Sequence, residues 1–414
     1  MKQHSLQSWF KSGAPGVWMS AGAVSIAVIM TIGLLLMIGI RGLGYFWPAD
    51  LVQARYQIPG QEARLIVGEL VQEEEVSRAR LKSAGFPVTD AGSEFMTRDL
   101  IKVGNREVYG SDFSWVIGEW LTDHSYPKDL VALERREWGN FYGYIVSVKE
   151  SGKVIAEGEA AWPVLQERLA RVNHLAEKLA TLEKKDISAI NHGLERLRLQ
   201  TRKLELEGRL DATAQADIDA ERAALEARYQ ALEGELVSLH GEVDRDSLVV
   251  REVGGEEKEI SLGKLVKALQ PNNMSVFAKL GTYFSNLWSF LSDAPREANT
   301  EGGIFPAIFG TVMMTILMAI IVTPFGVLAA VYLREYAKQN TLTRVIRIAV
   351  NNLAGVPAIV YGVFGLGFFV YVLGGSLDRL FFPESLPAPT LGTPGLLWAS
   401  LTLAILAVPV VIVA

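Results

Sequence analysis

The chain has 414 residues, of which 50% are hydrophobic and 21% are charged, and its formal net charge is −6. The excess of acidic residues argues against nucleic acid as a partner, and the absence of cysteine excludes a disulfide framework or a cysteine-bound metal site. Apolar residues are concentrated at the two ends of the chain, so the sequence predicts membrane-spanning segments around a water-soluble middle region.

The N-terminal segment 1–16 carries Lys2 and Lys11 and no acidic residue. The apolar stretch 17–40 that follows is longer than the core of a cleaved signal peptide, which has about 7–15 residues. Because Lys and Arg favour the cytoplasmic side of a membrane, we expect 1–16 to be cytoplasmic and 17–40 to be an uncleaved first span. The region 41–301 is then expected to lie outside, in the periplasm of a Gram-negative cell.

Two strand pairs are predicted within this outer region. Residues 144–148 and 154–156 flank one short glycine-containing turn, and residues 247–253 and 256–262 flank another. We also predict a helix at 62–80, with the run Glu73, Glu74 and Glu75 on its solvated face, and an apolar, aromatic-rich helix at 274–291 that lies at the membrane interface.

Between 163 and 241, apolar residues recur every three or four positions, as in the seam of a coiled coil. Gly208 and Asp211 interrupt this pattern, and Thr213 is the predicted N-cap of a returning helix. An antiparallel helical hairpin is the preferred interpretation, and an intermolecular coiled coil stays open because heptads do not distinguish the two. The whole region is therefore expected to be an α+β domain that bears a coiled-coil hairpin.

Three further spans are predicted at 302–333, 348–377 and 395–414. Each lacks Asp, Glu, Lys and Arg, and each is long enough to cross about 30 Å of hydrocarbon. The intervening segment 334–347 carries an excess of basic residues and is expected to be a cytoplasmic loop. The segment 378–394 is then a periplasmic loop.

Pro324 and Pro357 lie inside predicted spans, where proline removes a backbone hydrogen bond and kinks a helix. We consider them candidate gating or pathway-lining positions, with ordinary helix packing as the alternative. Gly362, Gly365 and Gly367 lie in the same apolar run as Pro357 and indicate close helix approach.

Arg347, Asn351 and Asn352 lie at the cytoplasmic end of the predicted third span. Polar groups at such positions tend to face the bundle interior, so these residues are candidates for the path of an anion; the alternative is that they cap or join helices. The chain has no phosphate-binding Gly-rich loop for ATP and no metal-like histidine spacing. We therefore predict no enzyme activity, no cofactor and no metal site.

Four motifs give the C-terminal third a specific resemblance. They read GGIFPAIFGT at 302–311, TPFGV at 323–327, YLREYA at 332–337 and NLAGVPAIVYG at 352–362. In this order they resemble the permease subunits of bacterial phosphate ABC importers of the PstA type, over about 285–414. Ala358 departs from the family, which has Ser there. The residues that carry the resemblance are Gly302, Gly303, Pro306, Gly310, Thr311, Glu335, Tyr336, Gly355 and Pro357.

This resemblance implies a mainly α membrane protein with a type I ABC-importer permease fold, of which the chain contains the first four of six expected spans. It implies a multi-pass subunit of the bacterial inner membrane that moves phosphate. The implied partners are a second permease, two ATPase subunits and a periplasmic phosphate-binding protein. Because the sequence ends before the family's cytoplasmic coupling loop, we expect it to be a fragment. The alternatives are a membrane-anchored periplasmic coiled-coil scaffold or sensor, or a permease for another oxyanion such as sulfate or molybdate.

Overall fold

A computed structural model describes residues 14–89, 93–296, 301–353 and 355–413. Most of the predicted cytoplasmic N-terminus, with Lys2 and Lys11, lies outside these residues, as do Ala354 and Ala414. The chain divides into two compact units. The first comprises Met1–Val146, Val250–Lys258 and Lys267–Ser292, and the second comprises Ser147–Val249, Glu259–Val266 and Asp293–Ala414.

The first unit begins with a long apolar helix and continues into an antiparallel five-stranded sheet with the order β4-β3-β2-β1-β5. Apolar side chains on one side of the sheet form its core, including Val52, Ile66, Ile101 and Val116. The elements are α1 (Ala14–Gly44), β1 (Leu51–Tyr56), β2 (Arg64–Ser77), α2 (Arg78–Ser83), β3 (Phe95–Lys102), α3 (Arg106–Tyr109), β4 (Phe113–Ile117) and β5 (Leu121–Ser125).

The predicted helix at 62–80 is wrong, because most of this segment is strand β2. Its acidic run lies opposite β3, with Glu73, Glu74 and Glu75 paired with Asp99, Arg98 and Thr97. Arg98 forms an ion pair with Glu74 and lies over the ring of Trp115. Since β1 and β3 bond to β2 on both sides, pairing with distant strands overrides the local helical pattern.

A second sheet has the strand order β10-β9-β7-β6-β11, with β8 paired to β7. Both predicted hairpins are confirmed as the pairs β7–β8 and β9–β10. The first turn needs left-handed backbone, which Ser151 and Gly152 adopt with φ of 48° and 77°. The strands are β6 (Leu130–Arg135), β7 (Asn140–Glu150), β8 (Lys153–Glu157), β9 (Asp246–Arg251), β10 (Glu257–Ser261) and β11 (Leu265–Leu269).

Long helices between β8 and β9 form what we call the arm. Its outgoing helix consists of α4 (Ala161–Thr181), a π-helical segment (Leu182–Ile187) and α5 (Ser188–Leu206), and α6 (Ala212–Val243) returns along it in the same chain. The returning helix is capped by Asp211, whose carboxylate accepts a hydrogen bond from the Ala214 backbone N–H at 2.7 Å. The prediction of Thr213 as the N-cap is therefore wrong, because the helix begins two residues earlier. Coiled-coil packing of the arm stays a prediction.

The base of the arm is fixed by a buried carboxylate. Asp246 is fully buried, and its oxygens lie 3.1 Å from Arg171 Nη1 and 2.9 Å from Arg245 Nε. Further along, α5 contacts the Pro383–Ser385 turn of the same unit. The arm is thus held at its base and again along its outer half.

Within the described residues, four helical segments are long and apolar enough to cross a membrane: Gly16–Gly44, Phe305–Tyr336, Ala358–Phe381 and Leu396–Val413. Between the first and second of these, α7 (Val276–Ser292) matches the helix predicted at 274–291, and a short strand pair joins β12 (Pro295–Arg296) to β13 (Glu301–Gly302). The C-terminal helices are α8 (Phe305–Val331), α9 (Thr341–Leu353), α10 (Ala358–Phe364), α11 (Gly375–Phe381) and α12 (Leu396–Val413), with π-helical segments at Tyr332–Tyr336 and Gly365–Gly374.

The segment predicted as one span at 348–377 is divided in the structure. Residues 348–353 belong to α9, and the apolar helix begins at Ala358. Pro357 lies between the two, and it disfavours helical conformation in the residue before it. On α9, Arg344, Arg347 and Asn351 recur at helical spacing on one face, so this helix is amphipathic rather than apolar throughout.

Candidate functional site

The C-terminal helices approach one another closely at two glycines. A Cβ atom at Gly326 of α8 would lie 2.5 Å from Cγ1 of Val411, and one at Gly365 would overlap the side chain of Thr402. Val411 and Thr402 both belong to α12. This helix therefore packs against α8 and against the π-helical segment Gly365–Gly374. The predicted close approach is found at Gly365, whereas no atom of the described residues outside the local helix lies within 4 Å of a Cβ at Gly362 or Gly367.

Pro324 lies in the interior of α8, two residues before the glycine contact. Proline has no N–H, so the carbonyl four residues earlier loses its helical donor. The neighbouring Thr323 donates its hydroxyl to the Ala319 carbonyl at 2.6 Å. The helical hydrogen bond that Pro324 removes thus lies beside the tight contact between Gly326 and Val411.

The amphipathic helix α9 is fastened at three points. At its start, Asn340 Oδ1 accepts a hydrogen bond from the Thr343 N–H at 2.9 Å. Arg347 Nη2 donates to the Leu333 carbonyl at 2.7 Å, which joins α9 to the π-helical segment after α8. The Tyr361 hydroxyl donates to the Leu353 carbonyl at 2.9 Å, which joins α9 to α10.

The three predicted path residues all lie on α9, but they differ in their contacts. Arg347 joins helices through the Leu333 carbonyl, as the alternative interpretation describes. Asn351 and Asn352 have exposed side chains. Arg344 shares the face of Arg347 and Asn351 and is also exposed. We call the face formed by these three residues the candidate face, and it carries two positive charges.

Sequence reasoning missed a buried carboxylate at the other end of the bundle. Asp378 of α11 is completely buried, and its oxygens accept hydrogen bonds from the N–H groups of Leu391 at 2.8 Å and Gly392 at 2.6 Å. Trp398 Nε1 donates to the Leu391 carbonyl at 2.6 Å. These four residues, which we call the Asp378 lock, fix the loop before α12 against α11.

The sequence does contain a feature that could have predicted this lock. Asp378 directly follows the long uncharged run 348–377, and ionisable groups at such positions rarely lack a structural or functional role. A Cβ at Gly374 would overlap the Leu391 carbonyl oxygen. Gly374, near the end of the apolar run, therefore permits the same loop to approach.

Most residues of the family motifs lie at helix ends rather than in one cluster. Gly302 adopts φ of +88°, and a Cβ there would lie 2.8 Å from the Ala294 carbonyl oxygen. Gly310 and Thr311 lie in α8, where the Thr311 hydroxyl donates to the Ala307 carbonyl at 2.8 Å. The others are Gly303 and Pro306 at the start of α8, Glu335 and Tyr336 in the π-helical segment after it, and Gly355 and Pro357 between α9 and α10.

Among the residues that the structure describes, no group of three or more His, Asp or Glu side chains is placed to bind a metal ion.

Part of the chain is similar to subunits of ABC transporters. It is 36% identical over 72 residues to the probable ABC transporter permease protein YqgH of Bacillus subtilis, which is 17% of this chain and 23% of that protein. It is 37% identical over 81 residues to the phosphate transport system permease protein PstA of Pasteurella multocida, or 20% and 29% of the two chains. With the phosphate transport system permease protein PstC of Mesorhizobium japonicum it shares 33% identity over 131 residues, or 30% and 40%.

No family model matches the chain, and no solved structure matches it. The chain spans well under half the length of these curated relatives, from 23% to 40%. The relatives are transporter permease subunits rather than enzymes. Together, the partial similarity and the four apolar helices indicate a membrane protein related to ABC transporter permeases.

Proposed function

We propose that this chain belongs to a transmembrane permease subunit of an ATP-driven phosphate importer in the bacterial inner membrane. The proposal is carried by the local identity of 33% to 37% with permeases named for phosphate transport. Two structural features agree with a moving pathway rather than a plain anchor. These are the proline inside α8 beside a tight glycine contact and the break at Pro357.

In this proposal the candidate face of α9 lines the cytoplasmic part of the anion path. Arg344, Arg347 and Asn351 offer two positive charges and an amide donor on one side of a short helix. Such groups suit an oxyanion, which accepts hydrogen bonds from amides and guanidinium groups. Pro324 and Pro357 are the proposed hinge positions, because proline breaks the helical hydrogen bonding that would resist bending.

The proposed topology places 1–16 and 334–347 in the cytoplasm and 41–301 and 378–394 in the periplasm. It also follows that the subunit pairs with a second permease, with two ATPase subunits below and a phosphate-binding protein above. The type I permease fold and the coiled-coil arm are part of the same proposal.

Uptake of radiolabelled phosphate by cells tests the function. Deleting the gene in phosphate-starved cells should abolish high-affinity uptake, and expressing the full-length protein should restore it. Loss of sulfate or molybdate uptake instead would identify a permease for another oxyanion. No change in uptake of any of the three would favour a scaffold or sensor.

Two variants test whether the candidate face of α9 lines the anion path. Asn351→Ala should lower phosphate uptake severalfold at an unchanged amount of protein in the membrane, because it removes an amide donor from the proposed path. Arg334→Gln is the control, since the Arg334 side chain is exposed and its Nε lies 3.7 Å from the exposed carboxylate of Glu335. Equal uptake by the two variants would remove the face of α9 from the pathway.

Cysteine labelling tests the topology, because the chain contains no cysteine of its own. Ser238→Cys on α6 should react with an impermeant thiol reagent added outside the inner membrane, and Gln339→Cys should not. Both side chains are exposed, so the opposite result would reverse the proposed orientation.

A further inference from the structure

Helix α7 is fixed by one of its sides to the residues that follow α1. The ring of Phe46 lies 5.1 Å from that of Phe290 and 6.5 Å from that of Tyr283. The Asn286 side chain donates to the Phe46 carbonyl at 3.2 Å. Lys279 Nζ lies 2.5 Å from Asp50 Oδ1. The four α7 residues recur at helical spacing, so they form a single stripe.

The segment before α7 is also fixed to the start of the sheet. The Asn272 side chain accepts a hydrogen bond from the Leu51 N–H at 2.8 Å and donates to the carbonyls of Leu51 at 2.8 Å and Pro127 at 2.9 Å. Lys267 Nζ donates to Asn286 Oδ1 at 2.8 Å. The end of α1, the first strand and α7 are therefore held together by side-chain contacts.

A second side of α7 presents large apolar side chains to its surroundings. Phe277 is 85% exposed, Phe284 is 62% exposed and Trp288 is 71% exposed. Leu280 and Leu291 continue this stripe, which we call the outer stripe. The third side carries small residues, among them Ala278, Ser285 and Ser289.

The outer stripe carries no charge. Lys279 is the one charged residue of α7, and it is buried on the opposite side. A contiguous set of exposed aromatic and aliphatic side chains on a water-soluble surface marks a site of interaction. Its composition, with Trp and Phe and no Lys or Arg, matches the interfacial layer of a bilayer rather than an anionic surface.

We propose that α7 is a membrane-surface helix whose outer stripe inserts into the headgroup layer of the bilayer that α1 crosses. The occupant is lipid because α7 is fastened to residues 46–50, which directly follow the apolar helix ending at Gly44. This position sets α7 at the depth where α1 leaves the hydrocarbon. The sheet of the first unit is thereby mounted on the membrane at two points, α1 and α7. The inference does not depend on which solute the protein moves.

Environment-sensitive fluorescence in the full-length protein tests this proposal. Phe284→Cys and Phe277→Cys on the outer stripe, and the control Ser285→Cys on the small-residue side, are each labelled with a nitrobenzoxadiazole dye. The proteins are reconstituted singly into phosphatidylcholine nanodiscs. The dyes at 284 and 277 should emit at shorter wavelength than the dye at 285. They should also be quenched severalfold more by a nitroxide near the lipid headgroup than by one deep in the acyl chains.

Lipid charge and salt provide a second measurement. Because the outer stripe has no basic residue, adding anionic lipid or raising the salt concentration should leave the emission at 284 and 277 unchanged. Equal water exposure at 284, 277 and 285 in nanodiscs would overturn the proposal. So would shielding of 284 and 277 that appears only when another protein is added, because that protein would then be the occupant.

Discussion

The β-strands of the first unit and the C-terminal helices differ in where they place their large apolar side chains. In the sheet region the most buried side chains are large and apolar, and Leu51, Leu130 and Leu133 have no exposed surface. In the helices, large apolar side chains point outward, with Leu328 69% and Ile359 75% exposed. The buried positions there include small and polar residues, Gly326, Ser400 and Asp378, beside an apolar cluster of Phe369, Val370 and Trp398.

This difference reflects the two solvents. In water, burying a leucine contributes roughly 1.5–3 kcal/mol, so the sheet gains stability from its apolar core. Lipid tails are as apolar as leucine, so helices in a bilayer associate through close packing of small residues and through hydrogen bonds. The C-terminal helices should therefore depend on glycines and polar contacts where the sheet depends on leucines.

The largest loss of stability is expected when the carboxylate of the Asp378 lock is removed. Asp378→Ala leaves the N–H groups of Leu391 and Gly392 buried without an acceptor, at about 1–3 kcal/mol for each group. We expect the free energy of unfolding of the purified protein in detergent to fall by roughly 2–6 kcal/mol. Asp378→Asn keeps one acceptor oxygen and should lose less. If both variants are as stable as the parent, polar contacts do not hold this part of the bundle.

A matched pair of leucines compares the two regions directly. Leu133→Ala opens a cavity in the sheet core and should cost roughly 2–5 kcal/mol. Leu328→Ala removes a side chain that faces outward from α8, so its effect in detergent should be much smaller. Both can be measured by denaturant unfolding with the same probe. Equal losses would show that the outward face of α8 is covered by protein rather than by lipid.

A pair of glycines sharpens the comparison within the bundle. Gly365→Ala places a methyl group against Thr402, and overpacking of this kind costs roughly 1–3 kcal/mol. Gly362→Ala meets no neighbour within 4 Å in the described part of the chain and should be neutral or slightly stabilising, because alanine favours helix over glycine by about 1 kcal/mol. Thermal unfolding in detergent separates the two. A stable Gly365→Ala variant would mean that α12 can move away freely.

Alkaline pH should produce the smallest effect. Burial raises the pKa of Tyr142 well above its ordinary value. The Glu69 carboxylate, which accepts a hydrogen bond from the Tyr142 hydroxyl at 2.7 Å, raises this pKa further. The folded state therefore keeps the proton that the unfolded state releases near pH 10, so stability is constant below that pH and falls above it. The loss up to pH 10 should be less than about 1 kcal/mol. Tyr142→Phe should flatten the part of the pH dependence that Tyr142 contributes.

Local patterns in the sequence predicted the elements that local interactions stabilise. The two hairpins, the helices of the arm and the four apolar segments were all found from turn residues, apolar spacing and length. Strand β2 was missed because its stability comes from pairing with β1 and β3, which are distant in sequence. The Thr213 cap was misplaced by two residues, although Asp211 is an equally good capping residue by type.

The candidate site was predicted less completely, for a physical reason. The positions of Pro324, Pro357 and Arg347 follow from residue type, but their partners do not. The carbonyl of Leu333 that Arg347 contacts, and the two N–H groups that Asp378 binds, are backbone atoms that any sequence would provide. Only the three-dimensional fold shows which backbone groups are left for a side chain to satisfy.

The arm is long enough to connect two distant parts of the second unit. A helix from Ala161 to Leu206 is roughly 69 Å long at about 1.5 Å per residue, with a π-helical segment near its middle. Its base is fixed at Asp246, and its outer half rests on the turn between α11 and α12. For a rigid helix of this length, a rotation of about 3° at the base would displace the far end by roughly 4 Å. The contacts at the base and along the outer half thus connect the sheet to the turn between α11 and α12.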